Sequence, residues 1–348
     1  MNGAGGQHTS VSFQYYVKSS PRVWLIILSW LLMTVVFVFL LLSSQLAENR
    51  RSFEDESSHA YDAVYEKTSI NETVIEGFAS ILRITGDSPA VRQYATEMRL
   101  AFPHIYAMGI QQYVPANKRD VFQQLQQNKG STDFLIKDFS YEKNRVFHEV
   151  DSVAAYYPTL FGESSNPDAE MVIGLDMFSV PFLKKALLAS IRTGKTVATR
   201  PFTLAEGSQG YVLFRSLESY PDFDPDKASD IESLAVSILI RTDQLLKLAH
   251  NKAPRAVAKL NYQNIAGEVI TEVLPALNEP PYIIKFGRLK FESEVDDFGQ
   301  PFQLILQTAN GLLFWNISLP IILVIITVFF VGFIWKILIA NTSMFWVG

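Results

Sequence analysis

Two long apolar runs near the ends of the chain constrain its fold most strongly. Val23–Leu42 contains twenty residues, of which only Ser29 and Thr34 are polar. As a helix it spans about 30 Å, the thickness of the hydrocarbon core of a bilayer. Ile317–Trp335 is a second such run, and both carry or adjoin tryptophans of the interfacial type: Trp24, Trp30, Trp315 and Trp335. The sequence therefore predicts transmembrane helices over residues 22–43 and 312–337.

The first run also has to be compared with a cleaved signal peptide. It is too long for the apolar region of a signal peptide, and residues 43–47 contain no convincing small-x-small cleavage site, so we predict a retained anchor. Lys18 and Arg22 precede the run with no acidic residue before them, which predicts a cytoplasmic tail over residues 1–21. Residues 43–311 then lie outside the cytoplasm, and residues 338–348 form a truncated cytoplasmic or membrane tail.

The chain contains no cysteine. A eukaryotic extracellular domain of this length usually carries disulfides, so the composition favours the bacterial periplasm and predicts a multi-pass protein of the inner membrane. The same absence excludes zinc sites built from cysteine, iron–sulfur clusters and thiol catalysis. The net charge of −5 gives no support for binding to nucleic acid.

After the first apolar run, Gln45–Ile84 contains no proline and a single glycine, Gly77, and predicts a long stalk helix. Its apolar residues recur at helical spacing among charged ones: Leu46, Phe53, Tyr61, Val64, Val74, Phe78, Ile81 and Leu82. Two interpretations remain open. The helix packs on its own domain, or it pairs with a second copy of the chain as a dimer stalk.

The residues between the stalk and the second run predict an α+β fold with antiparallel sheets. Gly86, Ser88 and Pro89 predict a helix end followed by an N-cap and a first turn. Strands are expected at residues 105–114, 134–139, 146–151 and 234–240, and helices at 117–128 and at Asp243–His250, the latter capped by Thr242. Three further strands, at 256–262, 283–291 and 302–307, predict a separate subdomain near the membrane.

Motifs of catalysis and metal binding are weak. Gly86-Asp87-Ser88 imitates an esterase nucleophile block, but the helix cap explains all three residues. The series Asp222, Asp224, Asp226 begins like a calcium loop, yet Lys227 occupies the position that needs glycine, so a solvated acidic loop is the better interpretation. The five histidines are scattered without the spacing of metal ligands. We therefore predict no enzyme activity, no metal and no cofactor.

Asp176 is the exception among the polar residues. It follows the apolar run Met171–Leu175, so it lies where a buried strand meets open space. One interpretation is that the carboxylate caps the next helix, near Val180-Pro181. The other is that it accepts hydrogen bonds from a ligand in a cleft, and both are compatible.

Between residues 103 and 215 the chain resembles the CHASE domain, the extracytoplasmic sensory domain of many histidine kinases and diguanylate cyclases, including the plant cytokinin receptors. The resemblance depends on the order and spacing of several short motifs: Ala107…Gly109, Tyr113-Val114-Pro115, Tyr157-Pro158…Glu163…Asn166, Gly174-x-Asp176, Thr193-Gly194, Thr199-x-Pro201-Phe202-x-Leu204 and Gly210.

This resemblance implies a long stalk helix carrying two PAS-like subdomains between the two transmembrane helices. The stalk and its connecting helices would occupy residues 44–102, a distal ligand-binding subdomain residues 103–252, and a membrane-proximal subdomain residues 253–311. In the cytokinin receptors an aspartate at the position that resembles Asp176 contacts the ligand. Ala198 and Gly207 fall near other ligand-contacting positions, where those receptors carry larger side chains. Thr199, Phe202 and Leu204 are expected to flank Asp176 on facing strands.

The chain departs from the family pattern in two further ways. Phe214-Arg215-Ser216 stands where the family commonly has a proline-containing strand end, and no kinase or cyclase output block follows the second run. The predicted function is a membrane-anchored periplasmic sensor of an unidentified small molecule, a homodimer through its stalk and transmembrane helices, working in transmembrane signal transduction. The alternative is a structural membrane protein such as a polysaccharide chain-length regulator, a group that is dominated by long helices.

Overall fold

A computed structural model describes residues 21–129, 133–139, 146–164, 172–204, 207–227, 231–263, 269–297 and 300–344. The tail at residues 1–20, the motif residue Asn166 and residues 345–348 lie outside these ranges. The described part of the chain combines helices with antiparallel sheets, which agrees with the α+β fold that the sequence predicts.

Six α-helices occur among the described residues: α1 (Pro21–Thr85), α2 (Pro89–Ala101), α3 (Arg119–Asn128, after a 3-10 turn at Ala116–Lys118), α4 (Pro181–Thr193), α5 (Thr242–Lys252) and α6 (Phe314–Met344). Two of them, α1 and α6, contain stretches that are long and apolar enough to cross a membrane, with mean hydropathies of 3.0 and 2.9. They correspond to the two apolar runs of the sequence.

Helix α1 continues through the first apolar run into the predicted stalk without interruption. From Phe53 onward it buries one narrow stripe at helical spacing: Phe53, Ser57, Ala60, Val64, Thr68, Asn71, Ile75, Phe78 and Leu82. The stalk therefore packs its apolar face within its own chain, which is the first of the two interpretations. The three polar members of the stripe, Ser57, Thr68 and Asn71, were not expected from the apolar pattern.

The turn between α1 and α2 follows the sequence closely. Gly86 has a φ of 61° and its N–H donates to Leu82, so it ends α1 in the left-handed conformation that favours glycine. Pro89 is the first residue of α2 and Ser88 is its N-cap residue, but the Ser88 side chain makes no capping bond. Its hydroxyl donates to Thr85 Oγ1 at 2.9 Å instead.

The strands, in chain order, are β1 (Ile105–Gln112), β2 (Val114–Pro115), β3 (Lys137–Phe139), β4 (Phe147–Glu149), β5 (Ala155–Tyr156), β6 (Thr159–Ser164), β7 (Val197–Ala198), β8 (Phe202–Thr203), β9 (Gln209–Ser216), β10 (Leu234–Arg241), β11 (Val257–Gln263), β12 (Val269–Leu274), β13 (Tyr282–Asp297) and β14 (Gln300–Leu313). The expected strands at 134–139 and 146–151 are shorter than predicted and pair with each other as β3 and β4, and Lys137 of β3 also forms a parallel bridge with Leu175.

The first sheet has the order β6-β1-β10-β9-β7, with β8 also paired to β9, and all its pairings are antiparallel. Helix α2 packs on β1 and β6, and helix α4 packs on β9 and β7. The central strands β1 and β10 are buried over most of their length. Strands β7 and β8 lie at one edge; they carry Ala198 and Phe202, and Thr199 and Leu204 directly follow them.

The second sheet has the order β12-β11-β14-β13. Strand β12 was not predicted, and it changes the role of Thr242. Helix α5 begins at Thr242 itself, and the Thr242 hydroxyl donates to Glu272 of β12 at 2.7 Å rather than capping the helix. The prediction that Thr242 is an N-cap was wrong: Arg241 is the N-cap residue, and Thr242 lies inside the first turn with its hydroxyl donating to a strand that the sequence did not reveal.

The chain divides into two compact units. One contains the described residues up to Phe53, Pro280–Leu289 and those from Ala309 onward. The other contains Glu54–Glu279 and Lys290–Thr308. Within the first unit the apolar parts of α1 and α6 lie side by side. Their contacts include Trp24 with Trp335 (ring centroids 6.4 Å apart), Trp30 with Phe330 (4.6 Å) and the hydroxyls of Thr34 and Thr327 (3.2 Å).

Candidate ligand-binding site

Asp176 is held by its backbone between two short strands of the second unit. Its N–H donates to Lys137 O at 2.9 Å, and the N–H of Lys137 donates to Gly174 O at 3.0 Å. On the other side, Met177 N donates to Tyr157 O at 3.1 Å. These bonds fix the segment between β3 and the residue that follows β5. The backbone therefore positions Asp176 independently of the contacts of its side chain.

The carboxylate of Asp176 is 1% exposed and accepts two backbone N–H groups through a single oxygen, Oδ1. The donors are Tyr157 N at 2.7 Å and Phe178 N at 3.0 Å. Helix α4 begins only at Pro181 and has no side-chain cap. The interpretation of Asp176 as a helix cap was therefore wrong. A reverse turn closed by Ser179 N on Asp176 O separates the carboxylate from the helix, which leaves it to bind the turn and the neighbouring strand.

Burial raises the pKa of Asp176 from 3.8 to about 6. The two N–H groups of Tyr157 and Phe178 oppose this change because they favour the charged form, and Lys184 acts in the same direction. The nearby Asp138 raises the pKa further by repulsion. Asp176 is thus a buried carboxyl group whose charge changes near neutral pH.

Position 174, two residues before Asp176, requires glycine for two reasons: its backbone dihedral angle φ is positive, and there is no room for a side chain. Its φ is 82°, and a Cβ at this position would overlap the carbonyl oxygen of Leu135. We expect Gly174→Ala to lower the free energy of unfolding by at least about 2 kcal/mol, since the strained φ and the clash with backbone add together. Gly86→Ala is the matched control because Gly86 also has positive φ but nothing within 4 Å of a Cβ. Equal losses in the two variants, measured by denaturant unfolding, would contradict the role assigned to the Leu135 contact.

The other predicted site residues follow the edge of the first sheet. Ala198 pairs with Leu213 of β9, and Thr199 is bonded to Val212 through both N–H and hydroxyl. The hydroxyl of Thr199 accepts Val212 N at 3.0 Å and donates to Arg200 O at 2.9 Å. The Thr199 hydroxyl therefore stabilises the edge of the sheet, whereas the sequence predicted that Thr199 flanks the ligand.

Phe202, Leu204 and Gly207 belong to the β8–β9 hairpin. Phe202 pairs with Gly210, and Leu204 is buried. Gly207, at φ 90°, donates its N–H to Leu204 O, and no atom lies within 4 Å of where its side chain would project. No neighbouring atom therefore fills the space beside Gly207, which falls near a position where the resemblance implies a larger side chain in the cytokinin receptors.

One core cluster joins the two parts of the predicted site. It contains Leu175, Met177 and Phe178, which surround Asp176 in sequence, and Phe202 packs against the same cluster. Phe202 also lies 5.0 Å from Phe182 of α4, measured between ring centroids. The structure thus brings Phe202 and the neighbours of Asp176 into one core, whereas the Thr199 hydroxyl is occupied by backbone groups.

Two residues of this region were not among the predicted site residues, although Tyr157 belongs to a motif of the family resemblance. Tyr157 is fully buried with its hydroxyl 2.9 Å from Ser233 Oγ, and burial raises the pKa of that phenol. Lys137 lies with Nζ 4.7 Å from the ring centroid of Phe147, and partial burial lowers the pKa of its amine. No pattern indicated Lys137, since alternation with the buried Phe134 and Ile136 places it on the opposite face, with the exposed Leu135.

A shallow cavity of about 290 Å³ lies elsewhere, in the acidic loop between residues 219 and 231. None of the six predicted site residues lines it. Asp224 in this loop pairs with Lys227 at 3.2 Å and accepts the N–H of Asp226. Among the described residues no group of three His, Asp or Glu side chains is placed to hold a metal ion.

A buried polar network connects the first sheet to the stalk and to the second sheet. Asn71 of α1 accepts from His104 at 2.9 Å and donates to the Tyr211 hydroxyl at 3.4 Å and to Gln300 Oε1 at 3.2 Å. Tyr211 donates to the same Gln300 oxygen at 2.8 Å, and Gln300 Nε2 donates to Thr68 O at 3.0 Å. Because Asn71 uses its amide nitrogen as donor, its oxygen is the acceptor, so His104 carries a proton on Nε2.

Tyr211 is the member of this network that belongs to β9. Its ring packs on Phe302 at 5.0 Å and on Tyr262 at 6.1 Å, both in the second sheet. Its neighbours along β9, Gly210 and Val212, are the partners of Phe202 and Thr199. The predicted site edge therefore pairs with the two β9 residues on either side of Tyr211, which contacts both α1 and the second sheet.

Comparison with known proteins assigns the central part of the chain to a family. The profile of the CHASE domain matches residues 87–267, slightly more than half of the chain. Among curated proteins none is similar enough in sequence to count as a match.

Among solved structures, an extracellular ligand binding receptor from Desulfohalobium retbaense DSM5692 is similar at 12% identity and a TM-score of 0.38, covering 77% of this chain and 39% of the receptor. A protein titled Methyl-accepting Chemotaxis protein X is similar at 11% identity and a TM-score of 0.36, covering 78% of this chain and 98% of its own. The chain therefore spans about two fifths of the first of these structures. On the extent of the profile match, this chain belongs to the CHASE domain family.

Proposed function

We propose that the chain is the sensory portion of a transmembrane signalling protein, anchored in the bacterial inner membrane by α1 and α6, with residues 43–311 in the periplasm. CHASE domains are sensory rather than catalytic, and this domain lies between two helices that are apolar enough to cross a membrane. The rival, a structural chain-length regulator, is disfavoured by the fourteen strands of the described residues. The first and second sheets would be the two PAS-like subdomains, and the antiparallel order of the first sheet is compatible with this.

The observation that carries the ligand-binding proposal is the buried carboxylate of Asp176. Both N–H donors recorded for it among the described residues use Oδ1, so Oδ2 is the atom that would accept an N–H or amine of a polar ligand. Because Asp176 is 1% exposed, the ligand reaches it only if part of the surrounding core moves. Phe182 and Phe202 are partly buried members of that core and are the side chains we expect to move.

Signal transmission would follow the contacts of Tyr211. A ligand that displaces the β7–β8 edge changes the pairing of Phe202 and Thr199 with β9, on either side of Tyr211. Tyr211 then alters its bonds to Asn71 of α1 and to Gln300 of β14. Such a ligand must favour one arrangement by a few kcal/mol to change the populations usefully.

We further propose that two copies pair through α1 and the membrane helices, and a monomeric mass in nanodiscs would exclude this.

A ligand screen by thermal shift on the full-length protein tests the proposal. We expect Asp176→Asn to keep a near-normal melting temperature, since asparagine Oδ1 still accepts the N–H groups of Tyr157 and Phe178. The charged contact is lost, which typically costs about 2–5 kcal/mol, or roughly 30-fold or more in affinity. Asp222→Asn, in an exposed acidic loop, is the matched control and should bind like the wild type. Unchanged affinity in Asp176→Asn would leave Asp176 with a purely structural role.

A further inference from the structure

The end of the second sheet next to α6 has a surface that the sensing proposal does not use. Strand β14 passes into α6 at Phe314, and the beginning of β13 lies beside it. Gly311 of β14 allows this close approach, because a Cβ there would lie 2.5 Å from Ile284 O and 2.7 Å from Tyr282 Cδ1. The amide of Asn49 in α1 donates to Gly311 O at 2.8 Å. Strand β13, strand β14 and helix α1 therefore meet at one level of the first compact unit.

The distance of this level from the apolar run follows from helix geometry. Asn49 is seven residues beyond Leu42, the last residue of the run, which corresponds to about 10 Å along the helix axis. The headgroup layer extends roughly 5–7 Å beyond each side of the hydrocarbon core. If α1 spans the membrane, Tyr282 and Ile284 lie at the outer edge of the lipid headgroups.

The side chains at this level combine exposed apolar groups with positive charge. Ile284 is 48% exposed and Phe286 is 58% exposed, although both belong to a strand. Between the two apolar runs, this unit carries one acidic residue and four basic ones: Glu48, Arg50, Arg51, Lys285 and Arg288. All four basic residues are exposed. The chain as a whole has a net charge of −5, so this local excess of positive charge runs against the overall composition.

We propose that this surface, formed by the beginning of β13 and the adjoining turns of α1, binds the headgroups of anionic phospholipids. Arginine side chains match phosphate oxygens, and their long apolar stems let the charged groups reach headgroups from the outer edge of that layer. The proposal rests on the proposed membrane anchoring by α1 and α6. It adds a contact through which the composition of the outer leaflet would influence the second sheet.

The absence of cysteine makes a labelling test direct. The full-length protein, carrying a nitroxide at Ile284→Cys, is placed in nanodiscs of phosphatidylcholine alone or with one third phosphatidylglycerol. Each basic residue that meets anionic lipid should increase the contact about fivefold. We therefore expect collisions of the label with a water-soluble nickel complex to fall when phosphatidylglycerol is present. The double variant Arg51→Gln/Lys285→Gln should lose this difference.

Two further labels separate the possible outcomes. A nitroxide at Phe37→Cys, within the apolar run, must report hydrocarbon; an aqueous result there contradicts the membrane anchoring, which belongs to the proposed function. A nitroxide at Leu125→Cys on α3 should stay aqueous in both nanodiscs. If Phe37 reports hydrocarbon while Ile284 is equally aqueous in both lipids, the headgroup contact is wrong. The same holds if inorganic phosphate in phosphatidylcholine nanodiscs reproduces the effect, because the site then binds free anions.

Discussion

Asn71→Leu is expected to lower the free energy of unfolding of the CHASE-containing unit by about 2–4 kcal/mol. Leucine fills a similar volume but offers no hydrogen bond, so the buried Nε2–H of His104 loses its acceptor. Tyr211 and Gln300 each lose one bond but keep the bond between them. A buried donor without a partner costs roughly 1–3 kcal/mol, and the weakened bonds account for the remainder.

Hydrogen exchange of the β9 and β10 amides is the suitable measurement. All five tryptophans lie within the two ends of the chain, at positions 24, 30, 315, 335 and 346, so tryptophan fluorescence does not report on the first sheet. Ser80→Leu is the matched control because Ser80 is exposed on the same helix, and it should change the opening free energy by less than about 0.5 kcal/mol. If Asn71→Leu behaves like this control, the network does not stabilise the unit.

A double-mutant cycle then measures the coupling across the network. Asn71→Leu and Gln300→Leu remove the two residues that share the Tyr211 hydroxyl between them. Residues in one hydrogen-bond network usually show interaction energies of about 0.5–3 kcal/mol. Additive losses would mean that α1 and β14 are stabilised independently, and the transmission route proposed through Tyr211 would lose its physical basis.

The second large effect is a pH dependence due to Asp176. Since burial raises the pKa of Asp176 from 3.8 to about 6, the folded state holds the proton more tightly than the unfolded chain. The stability contributed by this proton is fully present below pH 4 and is lost as the pH rises through 6. Relative to Asp176→Asn, the wild type should therefore gain about 2 kcal/mol between pH 7 and pH 4. Denaturant unfolding of both proteins across this range measures the difference.

His104 acts in the opposite direction over almost the same range. Burial, with a smaller contribution from Lys67, lowers the pKa of His104 from 6.5 to about 4. Its contribution to stability is present above pH 6.5 and is lost as the pH falls through 4. In the wild type the two effects largely cancel, whereas Asp176→Asn exposes the loss due to His104. His104→Gln is the control that removes this loss. A wild type and an Asp176→Asn variant with parallel pH curves would contradict the raised pKa of Asp176.

The sequence by itself determined the elements that depend on local patterns. Both apolar runs and the stalk were predicted because length, hydropathy and the 3.6-residue period are properties of a single segment. The strands near β1, β10 and β11 followed from alternation and apolar content. The CHASE resemblance also came from the sequence, through the order of short motifs around Asp176, and the match over residues 87–267 confirmed it.

Only the tertiary structure decided the roles of the individual polar residues. Asp176 proved to bind Tyr157, nineteen residues away, and Thr242 proved to bind Glu272 of an unpredicted strand. Asn71 meets His104 and Gln300, which are 33 and 229 residues distant in the chain. No local pattern contains this information, because a buried polar side chain takes whichever partner the fold brings to it, and the cost of leaving it unpaired selects that partner only after the chain has packed.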